Sequence, residues 1–123
     1  MVRVLIAEDD TSVRTFVARA LAHRGYETTE VEDGVQALEA LDGQDYDLLL
    51  TDISMPGLDG IGLALKVTRD QPDLPILMMT GYSAERQRAH NLEELISGVL
   101  VKPFTLKQVC DAVDDALGLI KAD

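Results

Sequence analysis

Glu8 and Asp9 follow one short apolar run, Asp52 ends another, and Thr80 and Lys102 end two more. Carboxylates gathered without a cation repel one another, by roughly a few kcal/mol per close pair at an effective dielectric of about 20. Such a set calls for a positive partner. A few oxygen ligands with room for water suit Mg²⁺, which keeps waters and usually shares its shell with phosphate oxygens. Zinc is disfavoured, because His23 and His90 lie in other segments, where each reads as a surface residue, and no cysteine is near. An aspartate can also be a nucleophile toward phosphorus, forming an acyl phosphate while a metal and a cation neutralise the transferring group. Lys102 supplies the cation and Thr80 a hydroxyl for a phosphoryl oxygen, and backbone N–H groups near Ile53, Ser54 and Gly81 could bind the rest.

These residues are useful together only if the chain brings them together. Val2 to Ala7, apolar except for Arg3, reads as a strand covered on both faces. Asp10, Thr11 or Ser12 can cap a helix in which Val13, Phe16, Val17, Ala20 and Leu21 recur at helical spacing, up to a stop at Gly25. The alternation continues with strands near Tyr26 to Val31, Tyr46 to Thr51, Ile76 to Thr80 and Val99 to Val101. Helices are predicted near Val35 to Leu41, near Ile61 to Arg69, more weakly within Ala84 to Leu95, and from Leu106, where Val109, Cys110, Val113, Leu117 and Ile120 share a face. Five strand–helix units with short, right-handed connections predict a doubly wound α/β fold, a parallel sheet with helices on both sides. Ligands of such sheets bind beyond the carboxyl ends of the strands, where the order of strands switches. Glu8, Asp9, Asp52, Thr80 and Lys102 all fall at those ends and are predicted to converge on one crevice.

In order and spacing, these residues resemble the receiver domains of two-component response regulators, the CheY-like superfamily. The resemblance rests on Glu8-Asp9, on Asp52 within Leu48 to Gly57, on Asp59-Gly60, on Thr80-Gly81 and on Lys102-Pro103-Phe104, and it spans nearly the whole chain. It implies a flavodoxin-like sheet of order 2-1-3-4-5 with five helices, and one receiver domain over residues 1–123 with no effector domain. It further implies that Asp52 is the phosphoacceptor, that Asp9, Asp52 and the Ser54 carbonyl coordinate Mg²⁺, and that Glu8 acts on the metal through water. Lys102 would pair with the phosphoryl group, Thr80 would move toward it, and the Lys102–Pro103 bond would be cis. The donor would be a phosphohistidine on a histidine kinase or a histidine phosphotransfer protein. Receivers commonly carry an aromatic residue three positions before the site lysine; Val99 stands there, reads as a buried strand valine, and shifts signalling toward the loop after Thr80 and Tyr82. Within the family, Ala7 to Asp10, Thr80 to Tyr82 and the segment from Arg86 to Lys102 are similar to the single-domain CpdR group. That similarity implies a role in regulating ClpXP proteolysis.

Composition narrows the classes. The 123 residues suit one domain, 46% are hydrophobic, and no apolar run is long enough for a membrane span or a signal-peptide core, so a cytoplasmic protein is expected. A formal net charge of −11 opposes binding to nucleic acid or anionic membranes, leaving proteins and cations as the expected partners of a monomer. Cys110, the only cysteine, reads as a buried, inert thiol. The expected function is a phosphorylation-dependent switch that catalyses only its own phosphoryl transfer and dephosphorylation. The alternative is an Mg²⁺-dependent aspartyl-phosphate phosphatase or phosphotransferase. The haloacid dehalogenase kind needs a second acid two residues after its nucleophile, where Ser54 stands. A flavodoxin-like electron carrier would bring a flavin phosphate against Glu8, Asp9 and Asp10, where charge repulsion argues against it.

Overall fold

A computed structural model describes residues 1–81, 87–89, 92 and 94–118. Strands β1 (Arg3–Ala7), β2 (Glu27–Val31), β3 (Leu48–Asp52), β4 (Ile76–Thr80) and β5 (Gly98–Val101) form one sheet, with order β2-β1-β3-β4-β5 and every pairing parallel. The helices among the described residues are α1 (Thr11–His23), α2 (Gly34–Gly43), α3 (Gly60–Asp70) and α4 (Leu106–Ala116), and residues 87–89 are also helical. Half of the residues from Ala84 to Leu95, where the weaker helix is expected, lie outside the described residues, as do Tyr82, His90 and Ile120.

Alternation along the strands divides the core in two, because successive side chains point to opposite faces. Val4, Ile6, Leu48, Leu50, Leu77 and Met79 meet α1 and α4 through Val17, Leu21, Val109 and Val113. Leu5, Ala7, Leu49, Ile76 and Met78 meet α2 and α3 through Ala37, Leu41, Leu63 and Val67. Burial on both faces is why β1, β3 and β4 are continuous apolar runs, whereas the edge strand β2, Glu-Thr-Thr-Glu-Val, is not.

The helix starts are set by side-chain caps. Asp10, of the three candidates, accepts the Ser12 and Val13 N–H groups; Asp33 and Asp59 cap α2 and α3, and Thr105 forms a reciprocal capping box with Gln108. Gly25 ends the first unit at φ +96°, a conformation that favours glycine.

Two side chains lie elsewhere than their sequence pattern suggests. Phe16, at core spacing in α1, is 39% exposed and lies against Phe104, with ring centroids 6.3 Å apart. Val99, expected to be buried, is also 39% exposed, because β5 is an edge strand with β4 as its single neighbour. Cys110 is buried as expected, its thiol donating to the Ala20 carbonyl at 3.4 Å. Burial pushes the pKa of that thiol up, which keeps it protonated and unreactive.

Candidate functional site: an acidic crevice at the strand ends

The sheet order reverses direction at β1, whose neighbours are β2 and β3, and the crevice opens between the carboxyl ends of β1 and β3. Glu8, Asp9, Asp10, Asp52, Ser54, Gly81 and Lys102 line it, and Phe16, Pro103 and Phe104 wall one side. Carboxylate oxygens of Glu8, Asp9 and Asp52 lie within 4.8 Å of one another. Thr80, the fifth expected residue, is fully buried at the end of β4 and does not itself line the crevice, which the next residue, Gly81, does.

Each acid is held differently. Glu8 continues β1 by donating its N–H to the Val31 carbonyl at 3.1 Å, and its side chain is fully buried. One carboxylate oxygen of Glu8 accepts from Lys102 Nζ at 2.9 Å and the other from the Asp10 N–H at 3.1 Å. Asp9 is exposed at the mouth. Asp52 is almost fully buried, and Lys102 Nζ stands 2.8 Å from its Oδ1.

The backbone of Asp52 is clamped from two sides. Its carbonyl accepts the Thr51 hydroxyl at 2.9 Å. Gly60, the first residue of α3, packs so closely that a Cβ there would lie 2.1 Å from the Asp52 carbonyl oxygen. Gly60 also donates its N–H to the Ile53 carbonyl at 2.9 Å. The Asp59-Gly60 pair was noted in the sequence only as part of a motif; its mechanical role needs the three-dimensional contact.

Opposing effects set the charges. Burial raises the pKa of Glu8 and the negative charge of Asp52 adds to the rise; the hydrogen bonds from Lys102 and the Asp10 N–H offset part of it. Burial pulls the Lys102 ammonium down, but its contacts with Asp52 and Glu8 outweigh that, and its pKa is raised. Lys102 therefore stays charged between two acids. The Lys102–Pro103 peptide that follows it is cis.

One expected contribution is absent. The Ile53 N–H donates to the Met79 carbonyl at 3.0 Å, extending the β3–β4 ladder, so it is not available to a ligand. Conversely, the Thr80 hydroxyl oxygen is buried with no hydrogen-bond partner among the described residues, which is costly unless a ligand completes it. Arg14 gave no sequence signal, yet its Nη1 donates to the Glu8 carbonyl at 2.7 Å from a position on α1.

Residues 4–114 match the response regulator receiver domain. The chain is 39% identical to the response regulator receiver protein CpdR of Brucella abortus, over 95% of this chain and 98% of that protein. It is 35% identical to the transcriptional regulatory protein TcrA of Mycobacterium tuberculosis, where 88% of this chain matches 43% of the longer protein. Among solved structures, the response regulator TrrA of Thermotoga maritima, in complex with Mg²⁺-BeF, is 28% identical, with a TM-score of 0.85 over 94% of this chain and 99% of that one. No helix among the described residues is long and apolar enough to cross a membrane. On the fold, the acidic crevice and the extent of these matches, the chain belongs to the receiver-domain family of two-component response regulators.

Proposed function

We propose that this chain is a phosphorylation-dependent signalling switch whose phosphoacceptor is Asp52. The observation that carries this reading is the meeting of Glu8, Asp9 and Asp52 within 4.8 Å beside the Lys102 ammonium. The Thr80 hydroxyl at the next strand end, without a hydrogen-bond partner among the described residues, supports it. An all-oxygen donor set fits Mg²⁺, with Asp9, Asp52 and the Ser54 carbonyl as the residues to hold it. Glu8, whose two oxygens already serve Lys102 and Asp10, would act through water. When bound, Mg²⁺ supplies positive charge to the oxygens of the transferring group.

The chain's own residues do the rest. An Asp52 oxygen forms the bond to phosphorus as the P–N bond of a donor phosphohistidine breaks, and the imidazole nitrogen keeps the electron pair. Lys102 holds the negative oxygens, and Thr80 gains an acceptor for its hydroxyl. The donor is a histidine kinase or histidine phosphotransfer protein.

Output is a change in protein binding. Val99 and Val101 are exposed apolar side chains on β5, beside the strand ends that carry Thr80 and Lys102. The similarity to CpdR supports a role in regulating ClpXP proteolysis. The test is a pull-down with the protein free and loaded with Mg²⁺ and beryllofluoride. Capture that differs between the two states is expected; identical capture overturns the switch.

A further inference from the structure

We propose that Arg14 is a positioning residue for the acidic pair, setting the affinity of the crevice for Mg²⁺ through the peptide unit that joins Glu8 to Asp9. The inference rests on reading the crevice as a divalent-cation site. Arg14 lies one turn into α1, and its side chain is only 12% exposed. Nη1 donates to the Glu8 carbonyl at 2.7 Å, while Nε and Nη2 stand 3.6 Å from Glu30 and 3.7 Å from Glu32. The guanidinium is thus held by the end of β2 and points back at β1.

That carbonyl belongs to the peptide linking the two acids. Its plane sets the directions in which their side chains leave the backbone, Glu8 inward to Lys102 and Asp9 outward to the mouth. The N–H of Glu8 is already fixed by Val31, so Arg14 supplies the second constraint on the same residue. Arginine suits the task because its guanidinium spreads five donors over a rigid plane, wide enough to face a carbonyl on one side and two carboxylates on another.

Charge and positioning predict opposite results. A cation close to a cation site weakens metal binding, so if charge governs, removing Arg14 tightens Mg²⁺ binding. Positioning predicts the reverse: a Glu8–Asp9 peptide released from its 2.7 Å hydrogen bond must be ordered again when the metal binds, so removal weakens binding. Groups that orient metal ligands from outside are worth about tenfold or more in affinity.

The test is Mg²⁺ titration by calorimetry on wild type, Arg14→Met and Arg14→Lys, with the Glu8 carbonyl ¹³C shift recorded in the metal-free proteins. Arg14→Met is expected to bind Mg²⁺ about tenfold more weakly, with an upfield Glu8 carbonyl shift that reports the lost hydrogen bond. Arg14→Lys, which keeps the charge and the stem, is expected to fall between and guards against a failure of the Met variant to fold. Variants that bind Mg²⁺ as tightly as wild type, or more tightly, would overturn the role of Arg14. A wild type that does not bind Mg²⁺ would overturn the cation-site reading itself, a failure visible before any variant is compared.

Discussion

Lys102 Nζ lies 2.8 Å from Asp52 Oδ1, so the residue read as phosphoacceptor is held against the only cation that lines the crevice among the described residues. Lys102 also reaches Glu8 at 2.9 Å and neutralises part of a group of three carboxylates. Removing it leaves the Glu8 and Asp52 carboxylates buried and opposed. Breaking a fully buried pair costs about 3–5 kcal/mol, and the lysine's 25% exposure reduces that to about 1–3 kcal/mol for Lys102→Met. Because Mg²⁺ would then supply the missing charge, urea unfolding is expected to show the deficit shrinking when Mg²⁺ is added. A deficit that Mg²⁺ leaves unchanged would separate Lys102 from the metal site.

Gly60→Ala tests the clamp on Asp52. A methyl group 2.1 Å from the Asp52 carbonyl oxygen cannot be accommodated without moving backbone. The expected cost is about 2 kcal/mol or more, with slower labelling of Asp52 by acetyl phosphate. Melting and labelling like wild type would show that the start of α3 does not set the position of Asp52.

Phe16 and Phe104 line the crevice with their rings in contact, where a donor protein reaching Asp52 under the proposed function would meet them. Phe16→Ala is expected to raise KM for transfer from a phosphohistidine protein by about tenfold, as for an aromatic anchor in an interface. Labelling by acetyl phosphate should be unchanged, since a small donor does not need that wall. Equal loss with both donors would make the effect structural.

The pattern of apolar residues made β1, β3 and β4 legible because these strands are covered on both faces, and the site acids were legible because they end such runs. Phe16 shares the helical spacing of α1, but spacing identifies only a stripe, and the rim of that stripe faces the crevice rather than the core. Val99 was misplaced although the implied order 2-1-3-4-5 already sets its strand at an edge: a short apolar run does not reveal which of its faces is covered, and Leu100 is buried where Val99 is not. Arg14 and Gly60 were invisible in their roles, since a polar residue on a helix and a glycine at its start have many ordinary uses. The Ile53 N–H was credited to the ligand because strand ends blur by a residue, and only the β3–β4 register shows it spent on Met79.

Away from the site, the Tyr26 hydroxyl donates to Asp114, joining the start of β2 to α4. Burial, followed by the bond to Asp114, pushes the Tyr26 pKa up to about 12. The folded state therefore favours the neutral phenol, and the resulting stability is complete below the ordinary value of 10.0 and lost as pH rises toward 12. Absorbance titration should show a phenol ionising well above the ordinary value, and Tyr26→Phe should abolish that component and flatten the alkaline loss of stability. A titration that Tyr26→Phe leaves without the loss of a late component would remove the basis for this link.

The central claim is that Asp52 takes the phosphoryl group, and intact-mass spectrometry after incubation with acetyl phosphate and Mg²⁺ tests it most directly. The account predicts one phosphoryl group on the wild type, none without Mg²⁺, and none on Asp52→Ala. Labelling of Asp52→Ala to the same extent as wild type would contradict it.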